Sequence, residues 1–219
     1  MEDHLDSKSI ASKERQSTEK FSGVRKTAAY HLTRFLVRIL ARAHISPNTI
    51  TWTGFIITLG AAALIITGHL FAAGFVVLFA GFFDMLDGAL ARSTGKITRF
   101  GGILDSTLDR MSEAALLLSV LFVYASGNSV PGILLVGLAL VGSLLVSYIR
   151  SRAEALELQC EVGFFTRPER VIVLALGLLL SRFDYALTIS IAIIVVFSFI
   201  TVLQRLFNVW QQIKNRPTN

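Results

Sequence analysis

Apolar residues run through this chain in blocks too long for one face of a soluble helix. From Ala43 to Phe83 there is no Asp, Glu, Lys or Arg. Since about 20 apolar residues cross a bilayer, the block predicts two antiparallel spans joined at Gly68-His69. A second uncharged block, Ala114 to Ile149, is broken by the turn-forming Ser126-Gly-Asn-Ser-Val-Pro131 and supplies most of a third and a fourth span. The third must begin earlier, near Gly102. Residues 171–181 and 185–204 add two more apolar segments, with Thr166 and Pro168 suited to the start of the fifth helix. Ahead of the first span, Arg34, Arg38 and Arg42 recur every four residues between Tyr30 and His44, beside Leu and Ile. That spacing predicts an amphipathic interfacial helix with a basic face for anionic lipid head groups. The expected fold is an all-α integral membrane protein of six transmembrane helices preceded by this helix. Its expected divisions are a polar tail over 1–28, the juxtamembrane helix over 29–46, a six-span body over 47–211 and a C-terminal tail over 212–219.

Composition agrees with a membrane protein and removes several function classes. Of 219 residues, 53% are apolar and 16% charged, and the mean hydropathy is +0.62, which is too hydrophobic for a soluble single-core domain. Residues 1–20 mix both charge signs without an apolar core, so they read as a solvated tail and not a signal peptide. With the N-terminus cytoplasmic, only Arg182 among the 21 Lys and Arg residues falls outside, as the excess of basic residues in cytoplasmic loops demands. Both termini are then expected in the cytoplasm, and the membrane to be the cell membrane. A lone cysteine, Cys160, excludes an intrachain disulfide framework and a cysteine-based metal site. The four histidines lie in the tail, beside the interfacial helix and in the outer turn, away from the acidic residues described next.

The chemistry is concentrated in Asp84-Met-Leu-Asp87-Gly88-Ala-Leu-Ala91-Arg92 and in Gly101, Asp105 and Asp109. Asp84 and Asp87 (i,i+3) share one helical face, as do Asp105 and Asp109 (i,i+4). A short inner loop joins the two helices, so the pairs converge near the cytoplasmic side. An ionised Asp at the centre of a membrane helix costs roughly 2.5–3.5 kcal/mol, and four together also repel one another. Divalent cations remove that repulsion, and all-oxygen ligation selects hard ions such as Mg²⁺, Mn²⁺ or Ca²⁺. The competing arrangement is buried salt bridges to Arg92, Arg99 and Arg110. Gly88 and Ala91, and beyond them Gly101, remove bulk so that a phosphorylated ligand can approach the backbone.

The run fits, without a mismatch, the pattern D-x2-D-G-x2-A-R-x8-G-x3-D-x3-D, and residues 30 to 210 resemble the CDP-alcohol phosphotransferase family. The resemblance implies a six-helix membrane enzyme, usually a homodimer, that moves a phosphatidyl-type group from a CDP-linked lipid to an alcohol and releases CMP. It implies that Asp84, Asp87 and Asp105 ligate two divalent ions, Mg²⁺ or Mn²⁺, and that Asp109 is the general base, with metal contact as well. Gly88, Ala91, Arg92 and Gly101 match the family's nucleotide-contacting positions, and Arg92 suits a bidentate phosphate contact. Asn48 and Thr51 lie in a segment similar to the family's start of the first span, where a helix cap is an equal reading.

The acceptor is read from Ser147-Tyr-Ile-Arg150-Ser-Arg152-Ala-Glu154 and Arg167-Pro-Glu-Arg170. This arrangement is similar to the branch that makes phosphatidylinositol phosphate or archaetidylinositol phosphate. It implies an acceptor-phosphate site of Ser147, Arg150, Arg167, Arg170 and Arg205, with Arg167 and Arg170 left as alternatives for one position. The expected partners are a CDP-lipid (diacylglycerol or archaeol type), inositol phosphate, membrane lipids and a second copy of the chain, with no nucleic acid. Glycerol 3-phosphate is the alternative acceptor. A divalent-cation carrier is the alternative of a different class.

Overall fold

The computed structural model describes residues 46–95, 98–160 and 162–215. The polar tail and the amphipathic helix expected over 29–46 fall outside these residues, apart from Ser46. The described residues form six α-helices and no strand. These are α1 (Pro47–Ile66), α2 (Leu70–Thr94), α3 (Arg99–Ser126), α4 (Val130–Ala155), α5 (Arg167–Leu179) and α6 (Ala186–Asn215).

Their boundaries follow local chemistry. Ser46 caps α1, its hydroxyl accepting the Thr49 N–H at 3.2 Å, and Pro47 begins the helix where no intrahelical donor is needed. The α1–α2 turn uses Gly68 at φ +81°, and α2 ends on Gly95 at φ +65°, a left-handed conformation that costs an L side chain energy. Thr98 caps α3 through the Gly101 N–H at 2.9 Å. At α5 the Thr166 N–H and hydroxyl both donate to Glu169, at 2.8 and 2.6 Å, so the helix starts at Arg167, four residues before the apolar segment begins. Helix α6 runs on to Asn215, past the residue 211 at which the spanning body is expected to end.

Backbone packing joins α1 to α2 and α3, α2 to α5, α3 to α4, α4 to α6, and α5 to α6. One apolar core unites Ile65, Val77, Leu117, Val120, Val136, Leu178 and Ile194, all 2% exposed or less. Small residues permit the close contacts. A Cβ on Gly74 would lie 3.0 Å from the Leu179 backbone nitrogen, and one on Gly177 would lie 2.5 Å from the Ser190 hydroxyl. The outer surface is also apolar, with Phe71, Phe75, Phe79, Leu134, Leu138, Ile189 and Val196 exposed, as lipid contact requires. Four helices, α1, α2, α4 and α6, are long and apolar enough to cross a membrane. Helix α3 carries Asp105, Asp109, Arg110 and Glu113 within its first fifteen residues, and α5 has only 13 residues, so neither has the composition or length of a simple span.

Candidate active site

The C-terminal half of α2 and the N-terminal half of α3 bring the acidic residues together. One carboxylate oxygen from each of Asp84, Asp105 and Asp109 lies within 4.8 Å of the others. Asp87 stands outside this trio. It is 4% exposed and turned toward α1, where the Thr51 hydroxyl donates to its Oδ2 at 2.7 Å. The Gly88 N–H donates to its other oxygen. Thr51 thus ties the first turns of α1 to the acidic end of α2. Asn48 sits one turn earlier, and its side-chain oxygen would be 3.2 Å from a Cβ placed on Gly101. The two polar residues singled out on α1 therefore approach Asp87 and Gly101 respectively. On α2, Arg92 is exposed and folds back so that its Nη1 would be 3.3 Å from a Cβ on Gly88. Ala91 is half-buried beside it.

A cation already serves the acids. Arg167, at the start of α5, places Nη1 against Asp84 and at 2.6 Å from Asp109 Oδ1, and its Nε is buried without a hydrogen-bond partner. Among the described residues the ion pairs to these acids come from Arg167, not from Arg92, Arg99 or Arg110. Arg110 instead donates to the Ser106 carbonyl of its own helix.

Two cavities meet at this point. One, of about 280 Å³, is a mainly apolar groove between α1, α2, α3 and α5, lined by residues such as Phe55, Val77, Leu78, Leu116 and Ile172. The other, of about 630 Å³, is polar and lined by arginines. Asp84, Asp109 and Arg167 line both. The five residues expected at the acceptor, Ser147, Arg150, Arg167, Arg170 and Arg205, all line the polar cavity. Their bonding differs. Among the described residues, Arg150 pairs with exposed Glu154, at 2.8 Å. Arg205 is buried, donating from Nε to the Val162 carbonyl at 3.0 Å and from Nη1 to the Val146 carbonyl. Arg170 is 2% exposed and grips Glu113 side-on, Nε to Oε1 at 2.5 Å and Nη2 to Oε2 at 2.9 Å. Glu113 is a functional candidate that the motif does not contain. Its signal in the sequence is an acid four residues after Asp109, on the same face of α3.

The donor set fits a hard divalent cation. The clustered ligands are all carboxylates, close enough for one ion to touch all three, and Asp87 lies one turn from Asp84 with an oxygen held by Thr51 in the manner of an outer-shell partner.

Comparison with known proteins gives one answer. A family model described as CDP-alcohol phosphatidyltransferase matches residues 44–211. The chain is 37% identical over 185 residues to the archaetidylinositol phosphate synthase of Methanothermobacter thermautotrophicus, covering 84% of this chain and 92% of that protein. The crystal structure of Mycobacterium tuberculosis phosphatidylinositol phosphate synthase with CDP-DAG bound superposes with a TM-score of 0.76 at 38% identity, covering 82% of this chain and 94% of the other. The same mycobacterial enzyme in complex with manganese and citrate superposes with a TM-score of 0.76 at 39% identity, over 81% and 88%.

Proposed function

This chain belongs to the CDP-alcohol phosphatidyltransferase family and is a transferase of that class, and from this premise we propose that it transfers a phosphatidyl-type group from a CDP-linked lipid to a hydroxyl of inositol phosphate, releasing CMP. The observation that carries the reading is the meeting of an apolar groove and an arginine-lined cavity at Asp84, Asp109 and Arg167. A lipid chain in one cavity and an anionic, water-soluble acceptor in the other reach the same carboxylates. Relatives named as inositol-phosphate lipid synthases support the acceptor.

In this reading the groove holds the lipid chains, and the turns bearing Gly88, Ala91, Arg92 and Gly101 receive the cytidine nucleotide. Arg150 and Arg167 hold the acceptor phosphate. The Arg150–Glu154 pair is exposed and so weakly held that a phosphate can replace the carboxylate. Arg167 has an Nε donor still unused. Ser147 and Arg205 complete the wall of the cavity. Asp109 takes the proton of the attacking hydroxyl, whose oxygen bonds to the lipid-bearing phosphorus as the bond to CMP breaks. Asp84, Asp87, Asp105 and Asp109 would hold a pair of divalent ions, which offset charge on the diphosphate and on departing CMP.

The reading extends to topology. All six helices cross the cell membrane, α5 spanning about 20 Å from the floor of the polar cavity to the outer face, with both termini cytoplasmic. The body over 47–211 follows an interfacial helix over 29–46, and two copies form a homodimer. The test is to incubate purified protein with CDP-diacylglycerol or CDP-archaeol, Mg²⁺ and, in turn, inositol phosphate, glycerol 3-phosphate or serine. CMP and a new lipid phosphate are expected with inositol phosphate alone, and EDTA stops both. Product with glycerol 3-phosphate instead would overturn the acceptor, and cation flux without CMP release would favour a carrier.

A further inference from the structure

Three side-chain hydroxyls line the apolar groove, those of Thr51, Thr58 and Ser112. Two are already committed. Thr51 donates to Asp87 at 2.7 Å, and Thr58 donates to the Gly54 carbonyl of its own helix at 2.9 Å. Ser112 differs. It is 5% exposed, and none of the described residues hydrogen-bonds to its hydroxyl, although Ser106 and Ser119 on the same helix donate back to the Ile103 and Leu116 carbonyls. Ser112 follows Asp109 by three residues, so it shares that face of α3 and stands about 4.5 Å further along the axis. It lines the groove and not the polar cavity. Gly81, three residues before Asp84 on α2, lines the same groove. A Cβ there would meet only Val171 Cγ1, at 3.9 Å, so the wall is open just past the acids.

Resting on the function proposed above, we infer that Ser112 is a specificity-determining residue: its hydroxyl donates to an ester carbonyl of the CDP-lipid, so the lipid taken is of the diacylglycerol type and not the ether-linked archaeol type. With the diphosphate at Asp84, Asp105 and Asp109, the glycerol leaves the acids into the groove. The first polar atoms it carries past the phosphate are the linkages to its chains. A diacyl lipid presents a carbonyl oxygen there, which is a good acceptor; a dialkyl lipid presents an ether oxygen and no carbonyl. The other polar group on this part of the wall is Glu113, whose carboxylate cannot donate and has both oxygens held by Arg170. A buried hydroxyl without a partner costs free energy that pairing recovers. A site built to hydrogen-bond a substrate group therefore disfavours the analogue that lacks it.

The test uses the full-length enzyme in lipid nanodiscs, with Mg²⁺ and saturating inositol phosphate, and measures CMP release from CDP-dipalmitoylglycerol and from its ether counterpart CDP-dihexadecylglycerol. These substrates have the same stereochemistry and chain length and differ in the carbonyls. The unmodified enzyme should show a kcat/KM about fivefold or more higher for the ester, the net effect of one neutral hydrogen bond. Ser112→Ala should lose that margin through the ester alone, its kcat/KM for the ether staying within about twofold of the unmodified enzyme. Ser112→Thr, which keeps a hydroxyl, should retain the preference. A loss of equal size on both substrates, no loss on either, or an unmodified enzyme without preference for the ester would overturn the assignment. Failure of Ser112→Ala to fold would also overturn it, making the hydroxyl a brace of the helix. An unmodified enzyme that releases no CMP from either lipid would instead defeat the proposed function, and that result is read before any variant is compared.

Discussion

Thr51→Val is the substitution whose effect follows most directly from one bond. Valine keeps the shape of threonine, and the position is 8% exposed, so packing changes little and only the hydroxyl is lost. That hydroxyl has one proton, directed at Asp87 Oδ2 at 2.7 Å, with the Pro47 carbonyl a longer contact at 3.1 Å. A hydrogen bond to a charged group contributes about 1.5–3 kcal/mol, which corresponds to roughly 10- to 100-fold in an equilibrium constant. Losing an outer-shell partner of a ligating carboxylate costs metal affinity over a similar range, roughly 10- to 100-fold. CMP release from CDP-diacylglycerol and inositol phosphate, measured against Mg²⁺ concentration, should therefore show a half-saturation at least tenfold higher in Thr51→Val. Thr51→Ser, which keeps the hydroxyl, should return to within a few-fold of the unmodified enzyme. If the Mg²⁺ curves of the unmodified and Val proteins superpose, Thr51 does not orient a metal-binding Asp87.

Two further substitutions separate the roles around the cluster. Asp109→Asn should lower CMP release by at least about 10²-fold, the lower bound for loss of a positioned general base, while the protein still inserts and purifies; near-normal turnover would remove Asp109 from proton transfer. Arg150→Ala should raise the KM for inositol phosphate far more than that for CDP-diacylglycerol, because Arg150 lines the polar cavity and its ion-pair partner among the described residues is exposed Glu154, and the reverse ranking would take Arg150 out of the acceptor cavity.

The local parts of this molecule were readable from the chain, and the long-range parts were not. Uncharged blocks marked α1 and α2, and Gly68 marked their turn, because exclusion of charge from lipid is written residue by residue. The i,i+3 and i,i+4 spacing of the aspartates predicted all four in one cluster; Asp84, Asp105 and Asp109 do gather, whereas Asp87 turns to Thr51. What Asp87 does with its second helix neighbour depended on Thr51, 36 positions away, and only the family-like start of the first span hinted at it. Arg167, with Arg170 as its alternative, was read as a phosphate ligand from the resemblance to the inositol-phosphate branch, but its pairing with Asp84 spans 83 positions, and no local periodicity encodes such a contact. Arg205 looked like a cavity arginine and does line the cavity, yet two of its donors hold backbone carbonyls of Val162 and Val146. Glu113 escaped notice because it follows the motif by one turn and gains its meaning only from Arg170. The start of α5 was legible for a plainer reason: Thr166 and Pro168 suit a helix start, and a capping box there, not hydrophobicity, decides where the short helix begins.

The most direct measurement is a structure of the protein soaked with a CDP-lipid and Mn²⁺, recorded at the manganese absorption edge. Anomalous density is expected against the carboxylates of Asp84, Asp105 and Asp109, with the diphosphate beside it and the Arg167 guanidinium moved off at least one of the acids. Diphosphate and manganese bound elsewhere, with Arg167 still bridging Asp84 and Asp109, would contradict that expectation.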